Sequence, residues 1–338
     1  MAIKGLIRDV TSVTRIMHTR EKIHNNASEE PNYNDHIGDI ARSLHPGKIT
    51  IKLIDIKTNN DYKTLTFTGD KIPYFKPGQY LTLEYLYEGY TITRPYYIQS
   101  SPKKALGDNK EISITISSKY SQSTKYLYDN AKIGDEYIAE VGIGFFTFDS
   151  IRDSHKIIGI TNDILLSPFN SMIEASKDNI IDCDIKVIDE NEILNNLSND
   201  YSYFISGDSE FVNKIVKELS DNNIQKRRIR FSKNNSIIDK DVINNTQLYD
   251  IEVIRGIDST FIKAKGNESI AQALEKNNIK IHTCCRNGIC GNCRIQVLDG
   301  EYYVPSDNEN RRKMDIEYGY VYSCHTYPKG NMKIKINI

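Results

Sequence analysis

Residues 284–294 read CCRNGICGNCR, which puts four of the chain's six cysteines into eleven positions. Cys285, Cys290 and Cys293 are spaced C-x4-C-x2-C, and Cys324 follows downstream in YVYSCHTYP. Thiols at this density hold something or carry redox chemistry. The rest of the chain narrows the choice. It has 338 residues, enough for two or three domains at roughly 150 residues each. Apolar residues make up 39% and charged residues 26%, the composition of a soluble globular protein. The formal net charge is −1 with no long block of one sign, so neither nucleic acid nor an anionic membrane is expected as a partner. The opening MAIKGLIRDVTSV lacks the apolar core of a signal peptide, and no stretch is long enough for a membrane span. A cytoplasmic location is therefore expected, where clustered cysteines point to a metal or redox site rather than to disulfides.

The spacing is that of a plant-type 2Fe–2S ligand set, with three thiolates on one loop and a fourth further along the chain. A loop that wraps a cluster needs tight turns and amide N–H groups aimed at sulfur, and Gly288 and Gly291 supply the positive φ angles that allow this. A structural zinc site is the alternative, although zinc loops more often use paired C-x2-C or Cys with His. Cys284 falls outside the spacing, as a bystander or a thiol beside the ligands. Cys183, alone in IIDCDIKV, reads as a small buried hydrophobe. Upstream, NESIAQALEKNNIKI carries Ile270, Ala273 and Leu274 at helical spacing, followed by a strand-like IKI. Downstream, RIQVLDGEYYV reads as a strand with a turn at Asp299-Gly300. The stretch from about 249 to 338 resembles a plant-type ferredoxin domain over its whole length, and that resemblance implies Cys285, Cys290, Cys293 and Cys324 as the ligands.

Residues 71–102 read KIPYFKPGQYLTLEYLYEGYTITRPYYIQSSP, with Pro77-Gly78-Gln79-Tyr80 between two strand-like runs and then Arg94, Tyr96 and Tyr97. Residues 121–146, SQSTKYLYDNAKIGDEYIAEVGIGFF, follow with Ser123, Thr124 and Gly134-Asp135. PGQY, RPYY, STKYL and GDE resemble, in order and distance, the flavin-binding barrel of the ferredoxin–NADP reductase superfamily, whose signature is R-x-Y-S/T. The resemblance implies that Arg94 pairs with a flavin phosphate, that Tyr96 packs on the isoalloxazine, and that Ser123 and Thr124 lie on the phosphate side. A helix starting near them would turn free N–H groups to that phosphate. FAD is expected, with FMN the alternative. The signature's Ser/Thr is Tyr97 here, and a phenol ring there would shield the face a nicotinamide should occupy.

The family's nicotinamide domain opens with a loop resembling A-G-G-x-G-I-T-P-F. This chain has IIGITNDILLSPFNSMIEAS. Ser167-Pro168-Phe169 and the helical NSMIEA match, but Asn162, Asp163, Ile164 and Leu165 replace the glycines that let backbone approach a pyrophosphate. Asp163 would also repel it. In FISGDSEFVNKIVKEL the family's cysteine is Ser206 and its proline Asp208, and the Glu position of the closing strand is Ser232 in RIRFS. Residues 178–202 have room for little more than one βα unit. All of these changes fall on one ligand's path, so productive NAD(P)H binding is not expected.

Ahead of the barrel, Ile3, Leu6, Ile7, Val10, Val13, Ile16 and Met17 form an apolar stripe at helical spacing, and HIGDIARSL reads as a short second helix. The stripe either packs on the protein's own domains or docks a partner subunit. His18, His24, His36 and His45 share no face and read as solvated. The expected architecture is multidomain. Residues 1–46 form a helical arm, 47–150 an antiparallel β-barrel for flavin, 151–247 a shortened Rossmann-like α/β domain, and 248–338 an α+β, β-grasp 2Fe–2S domain. The expected function is an oxidoreductase relaying electrons between flavin, cluster and a redox protein partner. Two alternatives are a complete NAD(P)H-dependent reductase feeding an oxygenase or similar enzyme, and a non-catalytic cluster-binding sensing or assembly module.

Overall fold

A computed structural model describes residues 11, 13–22, 47–59, 61–108, 110–119, 121–162, 166–233, 242, 244–305 and 309–336. Residues 13–22 are helical, and Val13, Ile16 and Met17 on that helix are exposed. The rest of the predicted stripe, the second short helix, and His24, His36 and His45 lie outside the described residues. Among the described residues no helix is long and apolar enough to cross a membrane.

From residue 48 the chain alternates apolar and polar residues with the period of two that half-buried strands require. β1 (Lys48–Asn59), β2 (Tyr62–Thr68), β3 (Tyr80–Tyr87), β4 (Tyr90–Tyr97), β5 (Glu111–Ser117) and β6 (Glu136–Ile143) form one antiparallel sheet in the order β4-β3-β6-β1-β2-β5. A bridge between Ile98 and Ile114 joins its two edges, so the sheet closes on itself. Ile51, Leu53, Leu65, Phe67, Leu83 and Ile114 fill the interior and are fully buried. A short helix α1 (Pro102–Leu106) and then α2 (Gln122–Asn130) attach to it. Before β3 the chain turns at Gly78, whose φ is +89°. A Cβ there would stand 2.1 Å from the Phe146 carbonyl oxygen, so this turn requires glycine.

β7 (Lys156–Thr161), β8 (Asp184–Ile188), β9 (Ser202–Gly207) and β10 (Ile229–Lys233) form a wholly parallel sheet in the order β10-β9-β7-β8, with helices α3 (Ser167–Lys177) and α4 (Ser209–Asp221) as crossovers. Every residue of β9 is buried, as expected of a strand covered on both faces. Between α3 and β9 lie only β8 and a 3-10 turn, Glu190–Asn196, which accounts for the domain's small size. Cys183 sits buried just before β8, and burial pushes its thiol up to about 12.

The last region holds β11 (Leu248–Arg255), β12 (Asp258–Lys265), helix α5 (Ile270–Lys276), β13 (Arg294–Asp299), β14 (Tyr302–Tyr303), helix α6 (Lys313–Glu317), β15 (Tyr320–Tyr322), β16 (Tyr327–Pro328) and β17 (Met332–Ile336). The main sheet runs β12-β11-β17-β13-β15, with β11 and β17 parallel. Ser269 caps α5 through a reciprocal box with Gln272, and Ile270, Ala273 and Leu274 are fully buried beneath it. One expectation fails here. The run IKI at 279–281 is not a strand. Ile279 and Ile281 pack part-buried on the core while the backbone runs unpaired from the end of α5 into the cysteine loop.

Candidate redox site

The cysteine loop runs from the end of α5 to β13, and a 3-10 turn at Ser323–His325 brings Cys324 up to it. Cys293 and Cys324 are buried with their sulfurs 3.2 Å apart, while Cys285 and Cys290 are half-buried. The backbone N–H groups of Asn287 and Cys290 donate to Cys285 Sγ at 3.5 and 3.4 Å. Hydrogen bonding, first to Cys290 and then to Cys324, holds the Cys285 thiol far below its ordinary value, down to about 2. A thiolate is the form that binds iron. Gly288, with φ +67°, lies where a Cβ would stand 2.8 Å from His325 Cβ. The donor set fits a cluster: four sulfurs, two of them sheltered, with backbone amides aimed at one. Cys285, Cys290, Cys293 and Cys324 are the residues that would hold it.

Cys284 bonds Cys290 within the loop and also reaches out of it. Its sulfur lies 3.0 Å from the Tyr80 hydroxyl, across the boundary between cysteine loop and barrel. Burial, then the bond to Cys284, raises the Tyr80 phenol far above its ordinary value, so it stays protonated. The Tyr80 ring meets the Tyr97 ring edge-on, with centroids 6.1 Å apart. A Cβ on Gly144 would stand 2.7 Å from the Tyr80 ring, so the glycine makes room for the tyrosine.

On the barrel, β4 and the start of α2 bring Arg94, Tyr96, Ser123 and Thr124 together. Arg94 Nε donates to Ser123 Oγ at 3.0 Å, and its Nη1 donates to the Thr93 carbonyl at 3.0 Å. The Tyr96 hydroxyl lies 3.3 Å from Thr124 Oγ1 and 2.9 Å from the Tyr85 hydroxyl. Burial raises the Tyr96 phenol well above the ordinary range. Ser121 caps α2 by accepting from the Thr124 N–H. A buried guanidinium, two hydroxyls and a helix N-terminus make a group suited to an anion. Arg94 also faces the ferredoxin-type domain. Its Nη1 lies 3.7 Å from Glu275 Oε2 on α5, and Arg286 of the cysteine loop pairs with Glu275 Oε1. Burial, then the Arg286 charge, lowers Arg94 from the usual arginine value, and Glu275 opposes this. Glu275 Oε2 is buried without a hydrogen-bond donor. An acceptor left open beside an arginine fits a ligand that brings both a phosphate and hydroxyl groups, as a flavin nucleotide does. Arg94, Ser123 and Thr124 are the residues that would hold such a phosphate, and Tyr96 and Tyr97 stand beside them on β4.

The α/β domain closes the third side. The Tyr97 hydroxyl bonds Ser232 Oγ at the carboxyl end of β10. Asn287 Nδ2 donates to the Lys233 carbonyl at 2.9 Å, tying the cysteine loop to the same strand. Ser206 stands level with Ser232 on β9, its hydroxyl buried without a partner. Asp208 caps α4, accepting from the Phe211 N–H at 2.8 Å, and also takes Asn162 Nδ2 at 2.6 Å. Asn162 lies so close that a Cβ on Gly207 would stand 2.3 Å from its Oδ1. The substituted loop's Asp163, Ile164 and Leu165 lie outside the described residues. Leu166 follows with φ +50° and opens α3.

Sequence reasoning singled out none of Tyr80, Glu275 and Arg286 as site residues. Tyr80 was visible as the last residue of PGQY. The other two carry no motif, because their role depends on how the domains pack.

Residues 253–329 match the family of 2Fe-2S iron-sulfur cluster binding domains. Among known proteins, the NADH oxidoreductase HCR of Escherichia coli is 38% identical over 64 residues, covering 19% of this chain and 20% of that protein. The glycine betaine monooxygenase reductase subunit of Chromohalobacter salexigens is 21% identical over 81% of this chain and 91% of its own length. The solved structure of phthalate dioxygenase reductase superposes with a TM-score of 0.68 at 14% identity, covering 87% of this chain and 98% of that one. Barrel, parallel α/β domain and cysteine-bearing domain follow one another in this chain, and the last two of these matches cover 81% and 87% of it. Residues 253–329 are therefore a domain of the 2Fe-2S iron-sulfur cluster binding family, and the chain as a whole shares the fold of phthalate dioxygenase reductase.

Proposed function

We propose that the protein relays electrons between a flavin in the barrel, a 2Fe–2S cluster on Cys285, Cys290, Cys293 and Cys324, and a protein partner, without productive NAD(P)H binding. FAD is the expected flavin, with Arg94, Ser123 and Thr124 at its phosphates and Tyr96 and Tyr97 beside its ring. The domains divide as 1–46, 47–150, 151–247 and 248–338. When bound, flavin exchanges one or two electrons and a 2Fe–2S cluster exchanges one. The protein's part is to hold the two close, dry and aligned.

The observation that carries the reading is the contact of the Tyr80 hydroxyl with Cys284 Sγ at 3.0 Å. It joins the aromatic pair of the barrel to the residue next to a cluster ligand. Tyr97 bonds Ser232, and on this reading its phenol stands where a nicotinamide would approach the flavin. Electrons must then enter or leave by protein contact. The monooxygenase reductase relatives suggest an oxygenase-type terminal enzyme, and the exposed Val13, Ile16 and Met17 supply an apolar strip for a partner.

A second reading, a complete NAD(P)H-dependent reductase, is favoured by the retained four-stranded parallel sheet and by the names of the relatives. Cofactor analysis of anaerobically purified protein is the first test. Flavin and 2Fe–2S absorbance in about equal amounts is expected. A cluster spectrum without flavin would instead indicate a binding or sensing module.

A further inference from the structure

The boundary between barrel and ferredoxin-type domain carries a buried charge group that links the two candidate cofactor sites. Glu275, on α5, stands between two guanidiniums. Arg94 belongs to the anion-binding group of the barrel. Arg286 belongs to the cysteine loop and follows the ligand position Cys285. All three side chains are nearly buried, at 9% exposure for Glu275, 13% for Arg94 and 11% for Arg286. Arg286 holds a positive φ of +54°, unfavourable for a side-chain-bearing residue, and also donates to Thr283 Oγ1 at 3.1 Å. The loop conformation is therefore kept partly by the guanidinium's grip on Glu275 and Thr283.

The two halves of this group are unequal. Glu275 Oε1 bonds Arg286, while Oε2 has no hydrogen-bond donor and lies 3.7 Å from Arg94. A phosphate arriving at Arg94 competes with Oε2 for the same guanidinium. The carboxylate then leans on Arg286 alone, or takes a proton donor from the ligand. Either change reaches the cysteine loop, because Arg286 is part of it.

Resting on the flavin reading above, we propose that Glu275 is a positioning residue that couples occupancy of the flavin-phosphate site to the geometry of the cluster loop. Such coupling is reciprocal: whatever flavin phosphate does to the loop, cluster binding does to flavin affinity. The expected size is about five- to 150-fold in flavin affinity between cluster-loaded and cluster-free protein.

The test uses full-length, cluster-loaded protein stripped of flavin. FMN, FAD and riboflavin, which lacks the phosphate, are titrated in. Flavin fluorescence reports binding, and visible circular dichroism and the reduced-cluster electron paramagnetic resonance signal report the loop. In the wild type, a phosphate-bearing flavin shifts the cluster signals and riboflavin leaves them unmoved. In Glu275→Gln, and independently in Arg286→Gln, the flavin nucleotide still binds but the cluster signals no longer follow it. An unmoved cluster signal on flavin binding to the wild type overturns the coupling, as does an equal shift in wild type and both variants. A wild type that binds no flavin at all overturns the coupling and the flavin reading together.

Discussion

Arg94 is the residue on which the flavin half of the account turns. Its Nε is fixed by Ser123 and it is shielded from water. A charge-assisted contact of this kind contributes about 1.5–3 kcal/mol. Arg94→Ala should therefore lower flavin affinity by at least about tenfold, read as flavin lost on gel filtration. Unchanged flavin content would remove Arg94 from the site. On the cluster side, Cys324→Ser should abolish a normal 2Fe–2S spectrum, whereas Cys284→Ser should leave the cluster in place, since Cys284 Sγ faces Tyr80. A normal cluster in the Cys324 variant would sink the ligand assignment. The cysteines were legible because a cluster loop writes its spacing into consecutive residues. The contact of Cys284 with Tyr80 was not, because its partners lie 204 residues apart and meet only through domain packing.

Two elements set the geometry. The cysteine loop depends on Gly288, where φ is +67° and a Cβ would stand 2.8 Å from the His325 side chain. Gly288→Ala should strain the loop by about 1–2 kcal/mol from the left-handed backbone alone. The readout is faster cluster loss in chelator, and wild-type retention would show the loop to be more forgiving. Strand β10 carries Ser232 and Arg230, and the latter donates to the fully buried Asp153 at 2.7 Å. Removing one member of a buried pair costs about 3–5 kcal/mol, because the other charge is left unpaired. Asp153→Ala should lower the urea midpoint of the α/β domain, and an unshifted midpoint would contradict the assignment. At this scale the sequence was read well where periodicity and capping are local, as in α5 with its Ser269 box and its buried Ile270, Ala273 and Leu274. It was misread at 279–281, where two isoleucines in alternation suggest a strand. There the backbone runs from the end of α5 into the cysteine loop, and burial without pairing satisfies the same pattern.

Across the whole molecule, three regions converge on one small volume. Tyr80 and Tyr97 come from the barrel, Ser232 and Lys233 from the α/β domain, and Cys284 and Asn287 from the cysteine loop. Compositions and motifs located each region in turn, but the convergence is a property of the packing. It is the arrangement the proposed relay needs, with the candidate flavin and cluster residues side by side and Tyr97 tied to Ser232 of the α/β domain. The most direct test is an anaerobic titration of cofactor-loaded protein with NADH and then NADPH, followed by flavin and cluster absorbance. Both bands are expected to stay oxidised until dithionite is added. Bleaching within seconds of adding either nicotinamide would contradict that expectation and establish an NAD(P)H-dependent reductase.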